Sequence, residues 1–296
     1  MTPGTPQAEI SIDMALVARL LADQHPDLAD LPLCPFDTGW DNVMFRLGDQ
    51  LVVRLPRRAA AAALIRHEQQ WLPQIAERLT LPIPVPWRIG RPAPGYPWYW
   101  SIAPWLKGAP ADDHPISASQ APILGAFLRS LHVAAPAEAP ANPVRGVPLS
   151  ARAAAVEARM ANLAGRTDLI TAMIRQHWQA ALAAPIDLPP TWLHGDLHPR
   201  NILLHEGRLS GVIDWGDITA GDRATDLAAI WMLCATPDQR ERALAAYGAP
   251  SEATRRRALG WAILFGVMLL DTGLHDHPIH AAIGRQILHH CQSPAV

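Results

Sequence analysis

Three polar residues in one short stretch have the types and spacing to handle a phosphate. The stretch runs Trp192-Leu-His194-Gly195-Asp196-Leu-His198-Pro-Arg-Asn201 and continues through a Glu206-Gly207-Arg208 turn to Ile213-Asp214-Trp-Gly216-Asp217. Asn201-Ile-Leu-Leu and Leu209-Ser-Gly-Val-Ile read as two strands. A glycine opening a two-residue turn predicts a type II′ hairpin between them. A turn centred on Gly207 and Arg208 sets Asn201 directly opposite Asp214, six residues out on each side. Cross-strand partners lie roughly 5 Å apart. An amide oxygen and a carboxylate at that spacing can grip one hard cation. Mg²⁺ takes such oxygens and completes its shell with water and phosphate oxygens. Asp196, five residues before Asn201, lies in the loop entering the hairpin and can face a hydroxyl beside the metal-bound phosphate. That set suits phosphoryl transfer, where a protein positions groups, offsets phosphate charge and accepts the nucleophile's proton.

The elements that must hold these residues can be read from periodicity. Met14, Leu16, Val17, Leu20 and Leu21 predict a helix over Ser11–Asp23. From Leu33 to Pro56 short β segments follow, with Gly48-Asp49 as a hairpin turn. Ala59–Leu79 reads as helix, stopped by Pro82, Pro84 and Pro86. Trp87–Ile89 and Trp98–Ile102 read as two more strands. A Pro/Gly-bearing connector begins at Ala103, and beyond it helices predominate: Ser117–Ala134, one or two over Ala151–Ala184, and a run from Asp222 broken near Pro237, Pro250 and Pro278. The predicted fold class is α+β, with a small antiparallel-sheet lobe over 1–103, a hinge at 104–108, and a mainly helical lobe over 109–296.

The spacing His194-Gly-Asp196-Leu-His-Pro-Arg-Asn201 resembles the protein-kinase catalytic loop H-R-D-x-x-x-x-N, with Gly195 where protein kinases carry arginine. Ile213-Asp214-Trp-Gly216 stands where the D-F-G metal motif belongs. Together with Gly221-Asp-Arg-Ala-Thr-Asp226, the pattern resembles the aminoglycoside phosphotransferase family over about Leu33–Leu270. That resemblance implies a two-lobed protein-kinase-like fold and transfer of the γ-phosphate of ATP or GTP, with Mg²⁺, to a small hydroxylated molecule. It makes Asp196 the catalytic base and Asn201 and Asp214 the metal ligands. It places His198 near the γ-phosphate and Asp226 under the loop's backbone N–H groups. Pro104, Trp105 and Leu106 resemble the base-binding hinge, and Gly39 in Thr38-Gly-Trp-Asp-Asn42 a nucleotide loop with a single glycine. Where a kinase-like fold has a β3 lysine paired with a glutamate, this chain has Arg54, and Glu68 is the expected partner, fourteen residues on. Arginine keeps the charge and can grip phosphate with two donors. Lys107 is the single lysine of the chain, so an arginine at this position reads as a functional replacement.

Composition narrows the classes further. The chain has 296 residues, 49% hydrophobic and 18% charged, enough for a real core and about two domains. A formal charge of −2 predicts no nucleic-acid partner. Cys34, Cys234 and Cys291 are scattered and odd in number, which predicts reduced thiols in a cytoplasmic protein. Met1-Thr-Pro-Gly-Thr-Pro6 carries no signal-peptide pattern. Leu259–Leu270 reads as a buried helix too short to span a bilayer and ended by Asp271.

Several alternatives stay open. His194 and His198 with Asp196 can be read as transition-metal ligands, with Asp112-Asp113-His114 the candidate second cluster. Asp217, Asp271 and Asp276 can line a pocket for a cationic acceptor or serve as helix caps. The acceptor can be an aminoglycoside, a macrolide or a metabolic amino alcohol, and a non-catalytic nucleotide-binding protein would share most of these motifs. Oligomeric state is not encoded in any of them.

Overall fold

The computed structural model describes residues 7–112 and 115–292. The N-terminal stretch read for a leader, the Asp113-His114 part of the second cluster and the Asp276 side chain lie outside the described residues. The chain divides into two compact units, one reaching to Glu77 and including Pro82–Leu106, the other comprising Arg78–Leu81 and the chain from Lys107 onward.

The first unit opens with α1 (Met14–Gln24), whose N-terminus is capped by the Asp13 carboxylate accepting the Leu16 N–H at 2.7 Å. Leu16, Val17, Leu20 and Leu21 are buried, whereas Met14 at the helix start faces solvent. Strands β1 (Leu33–Thr38), β2 (Asn42–Leu47) and β3 (Leu51–Pro56) form the expected meander, followed by α2 (Ala59–Ala76). With β4 (Arg88–Gly90) and β5 (Trp100–Pro104) they make an antiparallel sheet ordered β1-β2-β3-β5-β4. Pro104, read as hinge, is therefore the last residue of a strand, paired with Leu51. β3 lies centrally, and Val52 to Pro56 are all buried.

The second unit contains β6 (Ala109–Pro110) and α3 (Ala121–Leu131). The helix begins later than the periodicity implied because Pro122 occupies its first turn, where a missing N–H costs nothing. Leu124, Phe127, Leu128 and Leu131 are fully buried. The Ala-rich segment forms two helices, α4 (Ala153–Ala164) and α5 (Ala172–Ala183). Next come β7 (Thr191–Leu193), β8 (Ile202–His205), β9 (Arg208–Val212) and β10 (Thr219–Gly221). β7 pairs with β10, and β8 lies between β6 and β9. Helices α6 (Ala224–Leu233), α7 (Pro237–Tyr247), α8 (Glu252–Asp276) and α9 (Pro278–His290) complete the unit. α8 packs on α4, α5, α6 and α9.

α8 is longer than the apolar run within it. Asp271 does not end the helix: its carboxylate accepts from Arg159 at 2.7 Å and Asn162 at 2.8 Å, so it sits inside the element with its charge balanced. By length and composition α8 could cross a membrane, but most of its apolar window is buried within the second unit. All three cysteines are free, Cys34 exposed and the other two buried.

Candidate active site

The loop between β7 and β8 is fixed from below. Asp226, fully buried in the first turn of α6, accepts the His194 N–H at 2.6 Å and the Gly195 N–H at 2.9 Å. His132 stands behind it, with Nε2 at 3.5 Å from the carboxylate and Nδ1 at 3.0 Å from the Tyr247 hydroxyl. His194 is spent on structure. Its Nε2 donates to the Ile213 carbonyl at 2.9 Å, its Nδ1 accepts the Asp196 N–H at 3.2 Å, and its ring packs on Trp215. With both nitrogens engaged it has no lone pair for a transition metal. Gly195 is left-handed at φ +88°, and a Cβ there would meet the Asp217 carbonyl oxygen at 2.6 Å. This backbone has no room for the arginine found at that position in protein kinases.

Asp196 is thereby held at the loop's apex. One carboxylate oxygen lies 2.5 Å from Arg145 Nη2 and the other 3.4 Å from His198 Nε2. Burial pushes this carboxyl up, but the Arg145 guanidinium, with His198 and His194, outweighs it and holds Asp196 well below the usual carboxylate range. His198 Nδ1 accepts the Arg200 N–H at 3.2 Å, which turns Nε2 toward Asp196. Arg145 comes from the loop after α3. Its guanidinium lies over the Phe265 ring at 4.8 Å, and its Nε is 3.8 Å from Asp217. Asn142 Nδ2 donates to the other Asp217 oxygen at 2.7 Å. Burial and the nearby Asp196 charge push the Asp217 carboxyl up, against the pull of Arg145 and Asn142.

The hairpin that carries Asn201 and Asp214, the candidate metal ligands, differs from the expected one. His205 pairs with Arg208, so the turn residues are Glu206 and Gly207, both with positive φ. That is the type I′ pattern. An irregularity near Leu203 and Leu204 then shifts the register by one residue, and Ile202 pairs with Val212. Asn201 consequently faces Ile213, whose N–H donates to the Asn201 carbonyl at 2.9 Å, and Asp214 lies one residue past the pair. Asp214 is left-handed, at φ +63°, as the chain leaves β9. Asn201 sits in a short 3₁₀ turn over Pro199–Asn201 rather than in the strand. Its Nδ2 donates to the Asp196 carbonyl at 2.8 Å, which commits the amide nitrogen and leaves the amide oxygen as the atom a cation could take. An amide oxygen and a carboxylate are hard oxygens of the kind Mg²⁺ accepts. Among the described residues no group of three His, Cys, Asp or Glu side chains is arranged to hold a metal.

The first unit holds the other expected residues. Arg54 in β3 makes a two-pronged ion pair with Glu68 in α2: Nη1 binds one carboxylate oxygen and Nη2 the other at 3.1 Å. Both side chains are buried. Gly39 lies in the β1–β2 turn, where its carbonyl accepts from Arg57 at 3.1 Å and its N–H donates to the Asn42 carbonyl at 2.9 Å. A Cβ on Gly39 would meet only the Asn42 carbonyl, at 3.8 Å, so packing does not demand glycine. The Trp105 N–H donates to the Gln50 carbonyl at 2.7 Å. Its ring is already occupied, with the Arg46 guanidinium over it at 3.9 Å and Phe36 edge-on at 4.7 Å. Leu106 follows it as the last residue of the unit, half-buried.

The model of the phosphotransferase enzyme family matches residues 32–261. The chain belongs to that family. No curated protein sequence matches it. Solved structures do: the GDP complex of wild-type aminoglycoside 2'-phosphotransferase-IIIa is 18% identical at a TM-score of 0.68, over 95% of this chain and 99% of that one. The apoenzyme of macrolide 2'-phosphotransferase MphH from Brachybacterium faecium is 22% identical at 0.61, over 95% and 98%. A streptomycin–ATP ternary complex of APH(2")-IIa is 20% identical at 0.57, over 88% and 91%. At these identities the likeness establishes the kinase-like α+β fold. The phosphotransferase chain thus has Asp196, His198, Asn201 and Asp214 on one loop and hairpin of its second unit, and Arg54 with Glu68 in its first. Arg145 and Asn142 escaped the sequence reading. They lie in an aperiodic Pro/Gly-rich loop, and only a lone arginine followed by glycine marked the place.

Proposed function

We propose that this phosphotransferase moves the γ-phosphate of ATP or GTP, with Mg²⁺, to a hydroxyl of a small molecule in the cytoplasm, and that the acceptor is an antibiotic of the aminoglycoside or macrolide kind. The observation that carries the reading is the oriented Asp196 carboxylate, with Asn201 tied to the backbone of the same residue. Asp196 receives the acceptor hydroxyl's proton. Asn201 and Asp214 hold Mg²⁺, which offsets phosphate charge when bound. Arg54, set by Glu68, binds the α- and β-phosphates, and His198 faces the γ-phosphate. The Gly39 turn and Pro104–Leu106 serve the triphosphate and the base. On this reading residues 1–103 bind nucleotide, 104–108 act as a hinge, and 109–296 carry catalysis and acceptor binding. The antibiotics in the similar structures make these compounds the first acceptors to try.

The test is nucleotide consumption, with ATP and GTP separately, against aminoglycosides, macrolides and small amino alcohols. Turnover on an antibiotic supports the reading. Turnover on amino alcohols alone moves the enzyme to metabolism, and silence with Mg²⁺-nucleotide still bound leaves an acceptor outside the panel or a non-catalytic nucleotide-binding protein. The metal assignment has its own check. Asp214→Ala should weaken Mg²⁺-nucleotide binding by at least about tenfold, since a direct charged ligand is lost. Unchanged affinity by calorimetry would remove Asp214 from the metal site.

A further inference from the structure

We propose that Arg145 determines the acceptor class: it occupies the carboxylates beside the reacting hydroxyl, so that polycationic acceptors are rejected and hydroxyl compounds of little positive charge are taken. The proposal rests on the phosphoryl-transfer reading above and narrows it.

A polycation is recognised by carboxylates that are free to meet its ammonium groups. The two carboxylates that face Arg145 are already engaged. Asp196 has Arg145 Nη2 at 2.5 Å. Asp217 has Asn142 Nδ2 at 2.7 Å on one oxygen and Arg145 Nε at 3.8 Å from the other. Further along α8, Asp271 has Arg159 at 2.7 Å and Asn162 at 2.8 Å. An incoming ammonium competes with Arg145 for Asp196 and with Arg159 for Asp271, and beside Asp196 it meets a fixed like charge.

Arg145 is not free to swing aside. Its side chain is 11% exposed and stacks on Phe265. Its backbone is held by an Asn142-centred turn, in which Oδ1 accepts the Val144 and Arg145 N–H groups at 2.9 and 3.0 Å. The next residue, Gly146, has φ +67°, and its carbonyl accepts the Asp222 N–H at 2.9 Å. The same loop is anchored to β10 by the Pro140 carbonyl, which accepts from Ala220 N–H at 3.1 Å and Thr219 Oγ1 at 2.8 Å. Like charges held in place reject partners more effectively than mobile ones, because the repulsion cannot relax.

The test compares kanamycin, a polycation, with erythromycin, which carries one amine. Binding to the Mg²⁺-nucleotide-loaded protein is measured by calorimetry at low and high salt for wild type, Arg145→Met and Arg145→Lys. Arg145→Met should gain at least about tenfold in kanamycin affinity, with a steeper salt dependence, while erythromycin affinity changes less than about threefold. Arg145→Lys keeps the charge and should keep the wild-type preference, which separates charge from a general disturbance of the loop. The proposal is overturned if wild type already binds kanamycin with a steep salt dependence, or if Arg145→Met brings no selective gain for kanamycin. Phosphorylated product is assayed separately. Its absence for both compounds would defeat the antibiotic-acceptor reading, whereas the binding ratio would still decide the role of Arg145.

Discussion

Replacing Asp196 with alanine lowers kcat by about a thousandfold and leaves Mg²⁺-nucleotide affinity within about threefold, if the loop does what its geometry allows. A positioned general base contributes on the order of 10²–10⁴ in rate. Asp196 meets the requirement for positioning, because Arg145, His198 and the buried Asp226 beneath the loop leave its carboxylate one orientation. Nucleotide affinity is expected to hold because the proposed metal and phosphate ligands are other residues. Alanine also leaves the Arg145 charge without its closest partner, so kcat must be read at a temperature where circular dichroism shows the variant folded. Residual turnover near the wild-type rate would sink the assignment. The pH profile adds a second reading. A carboxylate whose folded pKa is depressed contributes stability that is present above its unfolded pKa of about 4 and lost only as pH falls through the folded value. Arg145 lowers Asp196 well beneath the usual range. The rate should therefore show no acid limb from this residue between about pH 5 and 8, the window in which an unperturbed histidine titrates.

The extent to which this site was legible in the sequence follows from what each residue depends on. Asp196, Asn201 and Asp214 lie within one short stretch, so spacing alone placed them on a common loop and hairpin. Asp226 was legible only through the family resemblance, as the carboxylate that opens a helix beneath that loop. The hairpin register was not. A glycine at 207 fits either the first or the second position of a two-residue turn, and nothing local announces that Glu206 will take a positive φ. The irregularity near Leu203 and Leu204 then moved the pairing by one residue, a choice made by packing. Arg145 was out of reach for a different reason. It meets Asp196 across 51 positions of chain, and neither loop carries a periodic signal. Helix ends shifted by a few residues where caps and prolines intervened. α8 outran its apolar core because two partners on α4, Arg159 and Asn162, balance Asp271 inside the helix.

The Arg54–Glu68 pair carries the other large expected effect, and it separates a structural from a nucleotide-binding role. Both side chains are buried. Removing one member of a buried ion pair strands the other charge and costs about 3–5 kcal/mol, whereas replacing both with apolar groups of similar volume is often neutral or stabilising. Arg54→Met should accordingly lower the melting temperature steeply, and the Arg54→Met/Glu68→Leu double variant should recover most of that loss. A purely structural pair would recover nucleotide binding along with stability. A phosphate-binding arginine would not, and the double variant should then stay at least about tenfold weaker for nucleotide, roughly 1.4 kcal/mol. Arg54→Lys asks a narrower question. Lysine keeps the charge but loses the second prong that Nη2 supplies at 3.1 Å. Because the pair is two-pronged and enclosed, lysine is expected to restore only part of both stability and nucleotide affinity. Full restoration of both would show that β3 needs only a positive charge here, and that the chain's preference for arginine over lysine, not phosphate geometry, put Arg54 in place.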